Sequence, residues 1–156
     1  MEFISKLGTS IFIGNEAAAM NKALLQHYGV THILIAAQEL APHFPEDFQY
    51  CHLAIRDRSS EKLLQFVGPA IDFINQALAS GGTVYIHCYQ GISRSPAIAI
   101  AYIMHSTRLK FKEAFAFVQA RHVDTSPNSD FVKALQTFNV GPAQCSSAKT
   151  VCCVIV

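Results

Sequence analysis

The chain has 156 residues, of which 51% are hydrophobic and 15% are charged, and its formal net charge is +1. A chain of this length makes about one domain with a hydrophobic core of its own. The composition excludes a disordered chain, and the small net charge gives no argument for a nucleic-acid partner. No apolar run approaches the ~20 residues of a membrane-spanning helix, and the N-terminal residues lack a signal-peptide pattern. We therefore expect a soluble, cytoplasmic protein.

Strand and helix signals alternate along the chain without an internal repeat. Strands are predicted over 10–14, 31–36, 50–55 and 83–86, where apolar and β-branched residues cluster. Helices are predicted over 15–28, 63–78, 96–105, 111–121 and 128–138, the first with Asn15 as its N-cap. This alternation predicts an α/β fold, a single domain with a central, mostly parallel sheet flanked by helices. We expect the domain to span 1–138 and a flexible tail to span 139–156.

The spacings of the cysteines and histidines indicate neither a disulfide framework nor a metal site. The chain has five cysteines, an odd count with no C-x-x-C pair, which argues against a disulfide framework. Its seven histidines lack the spacing that would place two ligands on one helix face. We therefore expect no metal, and ask instead whether one thiol is placed to react.

The segment from Val84 to Pro96 joins a predicted strand to a predicted helix through a short loop. The strand leads to Cys88, Gly91 lies in mid-loop, and the helix begins near Arg94. Backbone N–H groups of a loop over a helix N-terminus can face inward and bind phosphate oxygens, and Arg94 adds a planar fork for two of them. The positive partial charges of these N–H groups, together with Arg94, also favour the thiolate of Cys88. A thiolate there suits in-line attack on phosphorus and a covalent phosphocysteine intermediate.

The alternative for each of these residues, taken alone, is a structural role. A cysteine at the end of a buried strand is usually a small hydrophobic residue, and His87 could be an ordinary core histidine. The agreement of strand, cysteine, glycine, arginine and helix favours a functional site instead. Thiolate character, together with the exposure that we expect at Cys88, also predicts a target of reversible oxidation.

The loop carries the pattern His-Cys-x-x-Gly-x-x-Arg, running from His87 to Arg94 and followed by Ser95. It resembles the active-site signature of the cysteine-dependent protein phosphatases, and the chain is similar to their small, atypical-type dual-specificity phosphatases over roughly residues 8–138. The resemblance extends to residues 11–15, to 29–34, and to 126–128 with Phe131. The chain departs from the family at Ile35, where Asn is common, and at Asp130, where Gly is common.

Cleavage of a serine or threonine phosphate needs a proton for the leaving oxygen. Asp57 is the candidate general acid, because it opens a polar loop at a strand end, where α/β folds gather their site residues. It also matches the aspartate that serves as general acid in the family. The alternative for Asp57 is a solvated charge paired with Arg56 or Arg58, and Asp124 is the reserve candidate.

The resemblance also implies roles for the remaining loop residues. Cys88 would be the nucleophile, the Ser95 hydroxyl would hydrogen-bond to it and ease its departure, and His87 would order the loop. A plain N-cap role for Ser95 is the alternative. No metal or organic cofactor is implied. The substrate-binding residues would be Tyr89, Gln90, Gly91, Ile92, Ser93 and Arg94.

The loop between Cys88 and Arg94 contains no lysine. Phosphoinositide phosphatases that resemble this family tend to carry lysines there, and an RNA triphosphatase would need more positive charge. We therefore expect a monomeric protein phosphatase that acts on phosphotyrosine and on phosphoserine or phosphothreonine in phosphoprotein substrates. The alternatives are a phosphoinositide or RNA 5′-phosphatase, and a catalytically weak phosphatase-like module that binds phosphoproteins.

The last residues of the chain, 153–156, read Cys-Val-Ile-Val and fit the pattern of C-terminal prenylation at Cys153. One prenyl group anchors weakly, so a second signal is expected, and Cys152 is the candidate for palmitoylation. Lipidation would associate the protein with a membrane. The alternative is an apolar tail that packs on the domain or on another chain.

Overall fold

The computed structural model describes Met1 and residues 4–141, and this part is an α/β domain. Its sheet has the strand order β1-β2-β5-β3-β4, in which β1 is antiparallel to β2 and the other neighbours are parallel. The strands are β1 (Ile4–Lys6), β2 (Ile11–Asn15), β3 (His32–Ala36), β4 (Gln49–Leu53) and β5 (Val84–Cys88). The helices are α1 (Glu16–Ala19), α2 (Lys22–His27), α3 (Leu64–Ala79), α4 (Arg94–Thr107), α5 (Phe111–Arg121) and α6 (Ser129–Thr137). The predicted α/β fold with a mostly parallel sheet is confirmed.

The hydrophobic core lies on both faces of the sheet around strands β3 and β5. All residues of β3 and β5 are buried, as expected for parallel strands that are covered by helices on both faces. Helix α4 is buried from Arg94 to Met104 and packs against α3, α5 and α6. The loop after β5 leads directly into this buried helix, and the helix therefore holds the loop at the centre of the domain.

One local prediction was wrong, and one strand was missed. The helix predicted over 15–28 is two helices, because the Asn21 side chain accepts from the Leu24 N–H at 2.9 Å and starts α2 as a second N-cap. Asn15 caps α1 as predicted. The antiparallel strand β1 was not predicted, since three residues are too few to show an alternating pattern.

The carboxyl ends of β3, β4 and β5 lie at one edge of the sheet, because these strands are parallel. The chain leaves β3 toward Glu39, leaves β4 toward Asp57, and leaves β5 at Cys88. Site residues of open α/β sheets gather at such an edge. None of the helices in the described residues is long and apolar enough to cross a membrane.

Candidate active site

The loop between β5 and α4 wraps around the sulfur of Cys88. The Gly91 N–H donates to Cys88 Sγ at 3.2 Å, and Gly91 has a φ of 76°. A Cβ at this position would lie 2.8 Å from the carbonyl oxygen of Gly14, so both the backbone conformation and the space require glycine. The sequence pattern therefore placed this glycine correctly at the centre of the loop.

The loop amides are oriented by the partners of the loop carbonyls. The carbonyl oxygen of Tyr89 accepts from the Glu16 N–H at 3.1 Å, and that of Ile92 accepts from the Ser126 N–H at 2.8 Å. Between them, the carbonyl oxygen of Gly91 lies 2.6 Å from Nε2 of His122. Since the C=O and N–H of a trans peptide point in opposite directions, the N–H groups of Gln90, Ile92 and Ser93 point away from these three partners.

His122 is a functional-site neighbour that the sequence did not reveal. It is fully buried, and Nδ1 lies 3.0 Å from Ser5 Oγ while Nε2 faces the Gly91 carbonyl. The carbonyl can only accept, so Nε2 carries the proton. Burial lowers the pKa of His122, which keeps the ring in this neutral donor form. Its partners are distant in the chain, and no local pattern marks it.

Cys88 itself is only 2% exposed, so the exposure predicted for this thiol was wrong. Cys88 is among the residues that line the pocket. Its nearest polar neighbours are the Gly91 amide and the Ser95 hydroxyl, whose Oγ lies 3.3 Å from Sγ.

Ser95 lies at the second position of α4, and its Oγ also lies within 3.4 Å of the Gly14 carbonyl. The N-cap position belongs to Ser93, so the plain N-cap alternative for Ser95 was wrong. Ser93 does not use its side chain as a cap either, because its hydroxyl donates to Asp57 Oδ1 at 2.8 Å.

Asp57 is held at the pocket by two neutral donors. Its Oδ1 accepts from Ser93 Oγ and, at 2.9 Å, from Nδ2 of Asn128, while the Asn128 backbone N–H donates to Ser93 Oγ at 3.0 Å. No ion pair in the described residues joins Asp57 to Arg56 or Arg58, so the solvated-pair alternative finds no support.

The residues around the pocket include most of those predicted. Asp124, the reserve acid, is exposed and does not line it. Asn128 was named only as part of the 126–128 segment that resembles the family, and its contact with Asp57 was not predicted. The lining consists of Asp57, Cys88, Tyr89, Gln90, Ile92, Ser93, Arg94, Ser126 and Asn128.

Arg94 is buried and pairs with Glu39, a residue that the sequence interpretation did not include. Nη1 and Nη2 donate to the two carboxylate oxygens at 2.7 and 2.6 Å. Burial lowers the pKa of Arg94, but the hydrogen bonds to Glu39, together with the charges of Cys88, Glu39 and Asp57, more than reverse this and the net pKa is raised. The same hydrogen bonds lower the pKa of Glu39. Glu39 follows the carboxyl end of a buried strand, which is the signal that could have found it.

His87 packs beneath the loop. Its ring stacks on Tyr85 with centroids 5.4 Å apart, and Nδ1 lies 3.4 Å from the carbonyl oxygen of Cys88. The Tyr85 hydroxyl donates to the Asn15 carbonyl at 2.7 Å, which links the stack to β2. Burial lowers the pKa of His87 to about 4, so the ring is neutral at physiological pH.

An α/β domain that holds a cysteine and an arginine in an amide-lined loop at a helix N-terminus is the architecture of a cysteine-dependent phosphatase. Among the described residues, no group of three His, Cys, Asp or Glu side chains is arranged to hold a metal ion.

Comparison with known proteins gives the family. The model of the dual specificity phosphatase catalytic domain matches residues 11–140. Dual specificity protein phosphatase 1B of Arabidopsis thaliana is 38% identical over 135 residues, which are 86% of this chain and 81% of the relative. The Homo sapiens serine/threonine/tyrosine-interacting protein is 39% identical over 135 residues, 82% of this chain and 60% of that protein.

Solved structures agree with this result. The crystal structure of the human tyrosine phosphatase-like serine/threonine/tyrosine-interacting protein superimposes with a TM-score of 0.81 at 37% identity, over 85% of this chain and 93% of that one. The chain belongs to the dual specificity phosphatase family, and it is a protein phosphatase of the protein tyrosine and serine/threonine class.

Protonation of the buried histidine predicts a pH dependence of stability. In the unfolded chain His87 has its ordinary pKa of about 6.5, whereas in the folded protein its pKa is about 4. Between these two pH values His87 is therefore protonated in the unfolded state and neutral in the folded state. Stability is therefore lost as the pH falls, by about 2 kcal/mol between pH 7 and pH 5. Urea unfolding at pH 7 and pH 5 measures this loss of the free energy of unfolding. In His87→Gln the loss should be smaller than in the wild type by about 2 kcal/mol.

The exposed His27 supplies the control, because His27→Gln should show the same pH dependence as the wild type. An acid-induced loss in His87→Gln as large as that of the wild type would contradict the assignment.

Proposed function

We propose that Cys88 is the nucleophile of the phosphatase reaction, that Arg94 and the loop amides bind the phosphate, and that Asp57 is the general acid. The observation that carries the proposal is the orientation of the loop. Its carbonyls bond to Glu16, His122 and Ser126 and its Gly91 N–H donates to Cys88 Sγ, which supports a loop whose amides bind a tetrahedral anion above Cys88.

In the first step, the Cys88 thiolate attacks phosphorus in line with the leaving oxygen. The S–P bond forms, the P–O bond of the ester breaks, and Asp57 gives its proton to the departing oxygen, so the free alcohol leaves. The two hydrogen bonds that Asp57 receives both go to Oδ1, which leaves Oδ2 for the proton. The loop amides and Arg94 face the oxygens of phosphorus throughout, where negative charge is concentrated.

In the second step, the Asp57 carboxylate takes a proton from water as that water attacks the phosphocysteine. The new P–O bond forms, the S–P bond breaks, and inorganic phosphate is released. The departing sulfur regains its negative charge, and the Ser95 hydroxyl, 3.3 Å away, is in place to hydrogen-bond to it. His87 orders the loop from below as a neutral ring and takes no part in proton transfer.

The substrates are phosphoproteins that carry phosphotyrosine, phosphoserine or phosphothreonine. No lysine lines the pocket in the described residues, which disfavours phosphoinositide and RNA substrates, since these bring further phosphates. Tyr89, 58% exposed, and Ile92, 36% exposed, form an apolar rim that suits a peptide. We further propose that residues 1–138 form the catalytic domain and that the enzyme acts as a monomer.

Two substitutions test the assignment of nucleophile and acid. Cys88→Ser should abolish turnover of both aryl phosphate and phosphopeptides. Asp57→Asn should lower kcat on a phosphoserine peptide by about 10²–10⁴-fold, and should lower kcat less on p-nitrophenyl phosphate, whose leaving oxygen needs no proton. Steady-state kinetics on both substrates measure the difference.

Asp72→Asn is the matched control, because Asp72 is an exposed aspartate on α3, and this variant should retain wild-type kinetics. Equal losses on the two substrates in Asp57→Asn would contradict the acid assignment. A wild-type protein that binds phosphopeptides and hydrolyses none would contradict the mechanism and identify the binding module instead.

We also propose lipidation at Cys153, with Cys152 as the second acceptor, and membrane association of a cytoplasmic enzyme as its result. The proposal rests on the sequence pattern alone, because 142–156 lie outside the described residues. Intact mass of the protein isolated from native cells should show an added prenyl group that Cys153→Ser lacks. An unmodified mass would contradict it.

A further inference from the structure

The guanidinium of Arg94 is occupied along one of its edges. Nη1 and Nη2 donate to the two oxygens of Glu39, and Nη1 also donates to the carbonyl oxygen of Ile55 at 3.2 Å. This is the parallel, two-bond geometry in which an arginine and a carboxylate fit each other best. Glu39 reaches Arg94 from the loop after β3, fifty-five residues away in the chain.

The other edge of the same guanidinium is formed by Nε and Nη2. Nε is buried and has no hydrogen-bond partner in the described residues. The second hydrogen of Nη2 lies on the same side as the Nε hydrogen, so these two donors form another planar fork. Arg94 lines the pocket beside Cys88, and a buried donor without a partner costs free energy until a ligand satisfies it.

The two edges of a rigid planar group cannot be oriented independently. When Glu39 holds the Nη1–Nη2 edge, the position of the Nε–Nη2 edge is determined as well. Without Glu39, the guanidinium of Arg94 would keep one hydrogen bond in the described residues, from Nη1 to Ile55. The long side chain would then regain rotamer freedom that a binding event has to remove.

The environment of Glu39 favours an ionised carboxylate. Its side chain is 51% exposed, whereas that of Arg94 is 8% exposed. Solvent therefore supports the carboxylate on one side while the guanidinium supports it on the other. Its pKa is lowered by the bonds from Arg94, so it stays ionised down into the acid range.

We propose that Glu39 is a positioning residue of the phosphatase: it holds Arg94 so that the Nε–Nη2 edge faces the phosphate, and it acts only through Arg94. The inference rests on the proposed function of the loop. The opposite role, a carboxylate that competes with phosphate for Arg94, would require Glu39 to hold the Nε–Nη2 edge, whereas it holds the Nη1–Nη2 edge.

The test is the affinity for tungstate, a tetrahedral oxyanion that binds without being turned over. By calorimetry, Glu39→Gln should bind tungstate about tenfold more weakly than the wild type, because Arg94 loses a charge-assisted, two-bond partner. Glu39→Asp, which keeps the carboxylate, should regain part of this loss. In an Arg94→Lys background, Glu39→Gln should change the affinity by less than about twofold, because lysine cannot form the paired fork.

Glu46→Gln is the matched control, since Glu46 is an exposed glutamate of the same β3–β4 connection, and its affinity should stay within about twofold of the wild type. Tungstate affinity in Glu39→Gln that is unchanged or tighter than that of the wild type would overturn the inference, and so would an equal loss in the Arg94→Lys background. Tungstate binding by a wild type that hydrolyses no phosphopeptide would refute the proposed function and still leave the role of Glu39 measurable.

Discussion

The structure of the site depends on one electrostatic arrangement: a buried sulfur that accepts a backbone amide of the loop close to the N-terminus of a helix. The Gly91 amide donates to Cys88 Sγ, and α4 begins six residues after the cysteine with its first turn buried. Partial positive charge at a helix N-terminus acts strongly where water is excluded. This field would stabilise both a thiolate and a bound phosphate, so the proposed nucleophile and the proposed phosphate site depend on the same backbone segment.

The surrounding contacts keep that backbone in one conformation. Gly91 fits against the backbone of Gly14 on β2 because it has no side chain, and His122 fixes its carbonyl from the other side. Asp57 is tied to the loop through Ser93 and to the segment before α6 through Asn128. Each contact joins a different element to the loop, so the geometry of the site depends on the whole fold and not on the loop sequence alone.

Features that a local sequence pattern determines were predicted, and features that depend on contacts between distant residues were missed. The loop from Cys88 to Arg94 was found because its chemistry is contiguous, and α5 was predicted with its observed bounds of Phe111–Arg121, since apolar periodicity marks it. Glu39 and His122 were missed because their partners lie far away in the chain, and burial of Cys88 was missed because exposure depends on what covers a residue. The break between α1 and α2 was missed because its second cap, Asn21, was read as an interior helix residue.

The measurement that tests the central claim most directly is the ultraviolet thiolate absorbance of the folded protein at neutral pH, compared between wild type and Cys88→Ser. The arrangement predicts a thiolate band in the wild type that is missing in the variant and is lost when the wild type is unfolded in urea at the same pH. Identical spectra for the two folded proteins would mean that the loop leaves the sulfur protonated, and the account of the site would be wrong.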